Sequence, residues 1–87
     1  MIIIENINLD PHTGMEMDID MSQFDLPDNC YIRAILAQNN TYNMIVNCNV
    51  ARSSIDYFHI TIANSSDTIY KGDIYPIFTI HYCINIS

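Results

Sequence analysis

The stretch Met15-Glu16-Met17-Asp18-Ile19-Asp20-Met21-Ser22 decides how this chain folds. An apolar residue stands at every odd position and a carboxylate or hydroxyl at every even one. A helix would spread both kinds of side chain around its circumference. A strand separates them, apolar on one face and charged on the other. The same period of two recurs downstream. Tyr42, Met44, Val46, Cys48 and Val50 alternate with Asn43, Ile45, Asn47 and Asn49. Phe58, Ile60 and Ile62 oppose Tyr57, His59, Thr61 and Ala63. Phe78, Ile80, Tyr82, Ile84 and Ile86 alternate with Thr79, His81, Cys83 and Asn85. Many of these residues are β-branched or aromatic, which suits a pleated, half-buried surface. No segment keeps a helical period.

Turn chemistry falls between the runs. Asp10-Pro11-His12-Thr13-Gly14 can turn the first strand into the acidic one, Pro fixing φ and Gly accepting a positive value. Pro27-Asp28-Asn29 separates the next pair, and Asn39-Asn40 tolerates the left-handed backbone of a tight hairpin. Arg52-Ser53-Ser54 and Ser65-Ser66-Asp67 are further polar breaks, and Gly72-Asp73 has Gly where a type II′ hairpin wants it. The reading is six or seven strands, at roughly 2–9, 14–22, 30–38, 41–50, 55–63, 68–71 and 74–86. Pro76 belongs at a strand start, an edge or a bulge. The expected fold is all-β: one domain over residues 1–87, a small antiparallel β-sandwich or barrel. One curved sheet covered by a second copy is the alternative.

Composition narrows the function. The chain has 87 residues, near the lower end of what folds alone, so help from an oligomer or partner is in keeping with its size. Ile, Asn and Tyr are abundant, as in an AT-rich coding sequence. That bias should also raise Lys, yet there is one, Lys71. The net charge is −7. All the imbalance lies near the amino terminus, where Glu5, Asp10, Glu16, Asp18, Asp20, Asp25 and Asp28 precede the first cation, Arg33. From there Arg33, Arg52 and Lys71 balance Asp56, Asp67 and Asp73. Such acidity repels nucleic acid and anionic membranes, and its natural complement is a basic protein surface. Three cations cannot displace many counterions from DNA or RNA, so direct nucleic-acid binding is not expected.

Cys30, Cys48 and Cys83 are odd in number, widely spaced and set in apolar runs, unlike a secreted disulfide framework. Buried reduced thiols in a cytoplasm are the expectation. Met1-Ile2-Ile3-Ile4 lacks the basic start of a signal peptide, Glu5 ends the run, and no apolar stretch reaches membrane-spanning length. The glycosylation patterns at Asn39, Asn64 and Asn85 read as chance in an Asn-rich chain.

The strongest motif is the ladder Glu16, Asp18 and Asp20, with same-face neighbours roughly 7 Å apart on a strand. Asp25 and Asp28 extend it into the following loop. It reads either as a solvated outer face that guards a strand edge, or as an acidic strip that docks into a cationic groove. Asp-x-Asp can also hold Mg²⁺, but the further oxygen ligands and phosphate loop of such sites are missing, as are the EF-hand Gly and Glu. His81 and Cys83 share a strand face, with His59 on a neighbouring one and His12 in a turn, without the spacing of a zinc motif. Cys83 or Cys30 beside His81 would need backbone donors for an anion hole, hard to build with two glycines. No catalytic residue, metal or cofactor is assigned, and an enzyme is not expected. Tyr31, Tyr57, Tyr70 and Tyr75 fall off the assigned core faces, as strand formers or as recognition side chains.

No family is identified from these residues. The profile of a short, acidic, Lys-poor all-β chain without catalytic motifs resembles the small phage-encoded inhibitors of bacterial defence systems, anti-CRISPR proteins among them, and toxin-immunity proteins. The resemblance implies a stoichiometric inhibitor in the cytoplasm, including that of a phage-infected bacterium. The resemblance is one of type and carries no residues over; the acidic strip itself suggests that such an inhibitor would block the basic surface of a nucleic-acid-handling enzyme through Glu16, Asp18 and Asp20, with Asp25 and Asp28 at the rim. The second reading is a structural subunit that assembles into a homo-oligomer, a homodimer for instance, or a virion accessory.

Overall fold

The computed structural model describes residues 2–49, 53–54 and 56–85. Val50 and Ile86, assigned above to inner faces, and Arg52, one of the three cations, lie outside them. Among the described residues seven strands form: β1 (Ile4–Leu9), β2 (Gly14–Asp20), β3 (Cys30–Gln38), β4 (Met44–Asn49), β5 (Tyr57–Asn64), β6 (Tyr70–Ile74) and β7 (Ile77–Ile84). All pair antiparallel in three small sheets: β1–β6, β2–β5–β4 and β3–β7. The sheets do not close into a barrel, which removes that alternative.

The period of two is what places the core. On β5, Phe58, Ile60 and Ile62 are fully buried, and the facing rows add Ile19 from β2 with Met44 and Val46 from β4. Ile4, Ile7, Leu9 and Ile74 arrive from β1–β6 and Ile35 from β3, all in one cluster. Phe24, Phe58 and Phe78 lock β7 and the loop after β2 onto this sheet, with ring centroids 5.5 Å (Phe24–Phe58) and 4.9 Å (Phe58–Phe78) apart. Phe58 and Phe78 meet edge to face, an arrangement that adds about 0.5–1.5 kcal/mol beyond burial.

Several local expectations give way. The alternation of β2 continues only to Asp20, because Met21–Gln23 closes into a 3₁₀ turn capped by the Asp20 side chain. Gly72 does not turn a hairpin. It sits inside β6 at φ 148°, opposite Ile7, where β1 carries an extra residue between Ile4 and Ile7. Asn6 takes φ 57° in that bulge and donates its N–H to Asp73 Oδ1 at 2.9 Å. The positive φ in the first connection belongs to His12 rather than Gly14, and in the β3–β4 connection to Asn43 rather than Asn39-Asn40. That second turn, closed by the Met44 N–H on the Thr41 carbonyl, throws Tyr42 outward to 88% exposure.

Pro76 splits the expected strand 74–86. It is buried between β6 and β7, and its missing N–H ends one ladder so that the chain can change partner from β1 to β3. The far end of β7 outruns the core, so Tyr82 and Ile84, on the face of Phe78 and Ile80, are exposed. A radius of gyration of 14.3 Å, against about 12 Å for a compact chain of this length, records the elongation.

The buried polar clamp is Asn64. Its amide nitrogen donates to the carbonyls of Leu9, Asp10 and Thr68, and its Oδ1 accepts from the Ser66 N–H and hydroxyl. It ties the end of β1 to the end of β5. Asn64→Ala should lower the unfolding free energy by about 2–4 kcal/mol, since buried carbonyls lose their donors. Phe58→Ala should cost about 3–5 kcal/mol. Urea denaturation followed by far-UV circular dichroism measures both.

Candidate acidic site

Glu16, Asp18 and Asp20 lie on β2, whose outer face is exposed at each of the three while Met15, Met17 and Ile19 turn inward. Among the described residues β2 pairs with β5 alone and is therefore an edge of its sheet. Antiparallel register sets Glu16 opposite Thr61, Asp18 opposite His59 and Asp20 opposite Tyr57. The expected ladder is thus assembled.

One residue that the sequence reading treated as a remote zinc candidate belongs to it. His59 is nine-tenths buried, and its Nδ1 lies 2.8 Å from Asp18 Oδ1. Its Nε2 is 3.4 Å from Glu16 Oε1, within range of ionic attraction but without hydrogen-bond geometry. The imidazole therefore sits between two rungs. His81 is exposed on β7, in another sheet, and His12 bonds Asp67 in the turn at 2.7 Å. The histidines and Cys83 are not brought together, and no group of three metal-ligating side chains occurs among the described residues.

Beyond Asp20 the strip runs into an open cleft of about 790 Å³. Asp18, Asp20, Asp28 and Asp56 all line it, with Phe24 and Tyr57. Asp28 is exposed on the loop that follows β2 and lines this cleft. Asp25, on the same loop and exposed, is not part of the cleft lining. Asp56 was missed. Only the β2–β5 register reveals it, since Tyr57 faces Asp20 and the Met21 N–H bonds the Asp56 carbonyl at 2.9 Å. The Asp20 carboxyl is held below the ordinary aspartate range, chiefly by the Ser22 backbone N–H and then by the Ser22 hydroxyl.

The cysteines are half-buried rather than buried, and all three are free. Burial pushes the Cys48 thiol up. Cys83 is drawn down, first by the Arg33 guanidinium 3.7 Å away and then by the Tyr31 hydroxyl, whose own value rises in return. Arg33 is the unpaired residue of a β3 bulge, between Ile32 opposite Tyr82 and Ala34 opposite His81. Tyr31, Tyr57 and Tyr75 are exposed, but Tyr70 packs against the core. Among the described residues no helix is long and apolar enough to cross a membrane.

Two outcomes follow from these environments. A carboxylate lowered in the folded state stabilises above its unfolded value, and the contribution fades as pH falls through the folded one. Asp20→Asn, which keeps the cap, should therefore flatten the acid limb of the stability curve below the ordinary aspartate range. At pH 7, iodoacetamide should label Cys83 faster than Cys48, and Arg33→Ala should slow Cys83 by lowering its thiolate fraction, as peptide mass mapping would read. No family model, curated protein or solved structure matches the chain, so its function is argued from this geometry.

Proposed function

We propose that the chain is a non-enzymatic protein ligand that occupies a basic groove of a nucleic-acid-handling enzyme and excludes the nucleic acid by charge. The observation that supports this most is the ladder Glu16, Asp18 and Asp20 on an edge strand, carried on by Asp28 and Asp56 around the adjoining cleft. Pleated backbone holds single charges at roughly 7 Å intervals, a regular spacing of the kind a polyanion presents. Clustered charge of one sign steers an oppositely charged partner and raises its association rate. Tyr57, exposed at the cleft, adds the flat aromatic contact that interfaces favour. The profile shared with phage-encoded inhibitors and immunity proteins fits a partner of this kind, met in a bacterial cytoplasm.

The test uses isosteric neutralisation, because Glu16→Gln, Asp18→Asn and Asp20→Asn keep polar contacts to His59 and Ser22 while removing three charges. Bait of the intact chain is exposed to nuclease-treated bacterial lysate, and each captured enzyme is assayed for DNA or RNA binding with and without the bait. The expected result is stoichiometric loss of nucleic-acid binding with the natural chain, at least a tenfold weaker effect with the triple variant, and steep weakening between 0.1 and 0.5 M salt, where the Debye length falls below about 10 Å. Equal capture and equal inhibition by the triple variant would overturn the reading.

A further inference from the structure

We propose that β7 pairs edge to edge, antiparallel, with β7 of a second copy of this chain, joining two β3–β7 ribbons into one four-stranded sheet. An edge strand leaves a row of backbone donors and acceptors free to pair with another chain, and proteins guard such edges with charge, bulges or cover. Most other open edges here carry such a device. β2 carries Glu16, Asp18 and Asp20, β1 carries Glu5 and a bulge at Asn6, and β6 carries Lys71 and Asp73. β3 is bulged at Arg33, and β4, uncharged at the far edge of the β2–β5–β4 sheet, lies against β3.

β7 has none of these devices. It reads Ile-Phe-Thr-Ile-His-Tyr-Cys-Ile, eight residues without Asp, Glu, Lys or Arg, long enough to span about 26 Å. Its ladder partner is β3, on one side. Among the described residues no backbone hydrogen bond reaches residues 77–84 from outside the ribbon. Ile77, Tyr82 and Ile84 stand exposed along it.

Charge selects the occupant. A cationic partner gains nothing from a strand without carboxylates, and a polyanion gains nothing from a molecule at −7. β3 and β7 contain no Asp or Glu at all, so two such anions can meet along this ribbon with little repulsion. The pairing is self-complementary: a two-fold axis near Ile80 and His81 sets the same uncharged strand against itself, the closed geometry that homodimers favour. It also leaves β2, in a different sheet, open on both copies.

Light scattering on the eluting full chain at about 50 μM tests this, with Thr79→Lys/His81→Lys and Thr79→Glu/His81→Glu as paired variants. Thr79 and His81 are exposed, so the fold should tolerate both. The expected masses are twice 10.0 kDa for the natural chain, 10.0 kDa for each variant alone, and twice 10.0 kDa again when the two are mixed. A natural chain at 10.0 kDa, or variants that dimerise as well as it does, would overturn the proposal. Because Glu16→Gln/Asp18→Asn/Asp20→Asn should leave the mass unchanged, this result is independent of the acidic strip's.

Discussion

The rest of the molecule depends on which face of β5 turns inward when it pairs with β2. Phe58, Ile60 and Ile62 are wholly removed from water on one face, while His59 on the alternate face meets Asp18. A slip of one residue would turn the three large apolar side chains outward and drive His59 and Thr61 into the core. At about 1.5–3 kcal/mol for each buried side chain, the loss would reach the scale of a small domain's whole stability. The carboxylate ladder is therefore positioned by the core behind it. Glu16, Asp18 and Asp20 point outward together because Met17 and Ile19 must point inward.

The acidic side chains also explain how so few cations suffice. Asp20 takes the Ser22 N–H, Asp73 takes the Asn6 N–H in the β1 bulge, Asp67 meets His12, and Asp18 meets His59. Backbone donors and histidine rings fill the places where other proteins use Lys or Arg. The exposed His12–Asp67 contact is worth little in water. The Asp73 and Asp20 contacts matter more, because each satisfies a backbone donor at a point where the ladder is irregular.

Strand existence was legible because period-two patterning is a local property, and all seven segments form within a few residues of their expected bounds. Partnership was not, since only β4–β5 joins neighbours in sequence while β1–β6, β2–β5 and β3–β7 join distant strands. Turn residues misled for a related reason. Gly72 carries a turn signal, but pairing with β1 absorbs its positive φ in a strand, and His12 and Asn43 take the left-handed positions expected of Gly14 and Asn39-Asn40. In the site, Glu16, Asp18 and Asp20 follow from alternation alone. Asp28 and Asp56 reach the same cleft through the path of the 21–29 loop and the β2–β5 register, and His59 through that register as well. No local signal contains either.

The acidic strand and the uncharged one are two results of a single constraint. A small chain exposes several sheet edges, and each must be paired, covered or charged. Placing the carboxylates on β2 protects that edge and concentrates potential there. The same −7 makes every carboxylate-bearing surface repel a second copy. The ribbon β3–β7 holds no acid, and within it β3 is bulged at Arg33 while β7 runs unbroken and uncharged. Charge on one sheet thus directs neutral contacts to another, so a molecule with one core can offer two faces of opposite chemical preference.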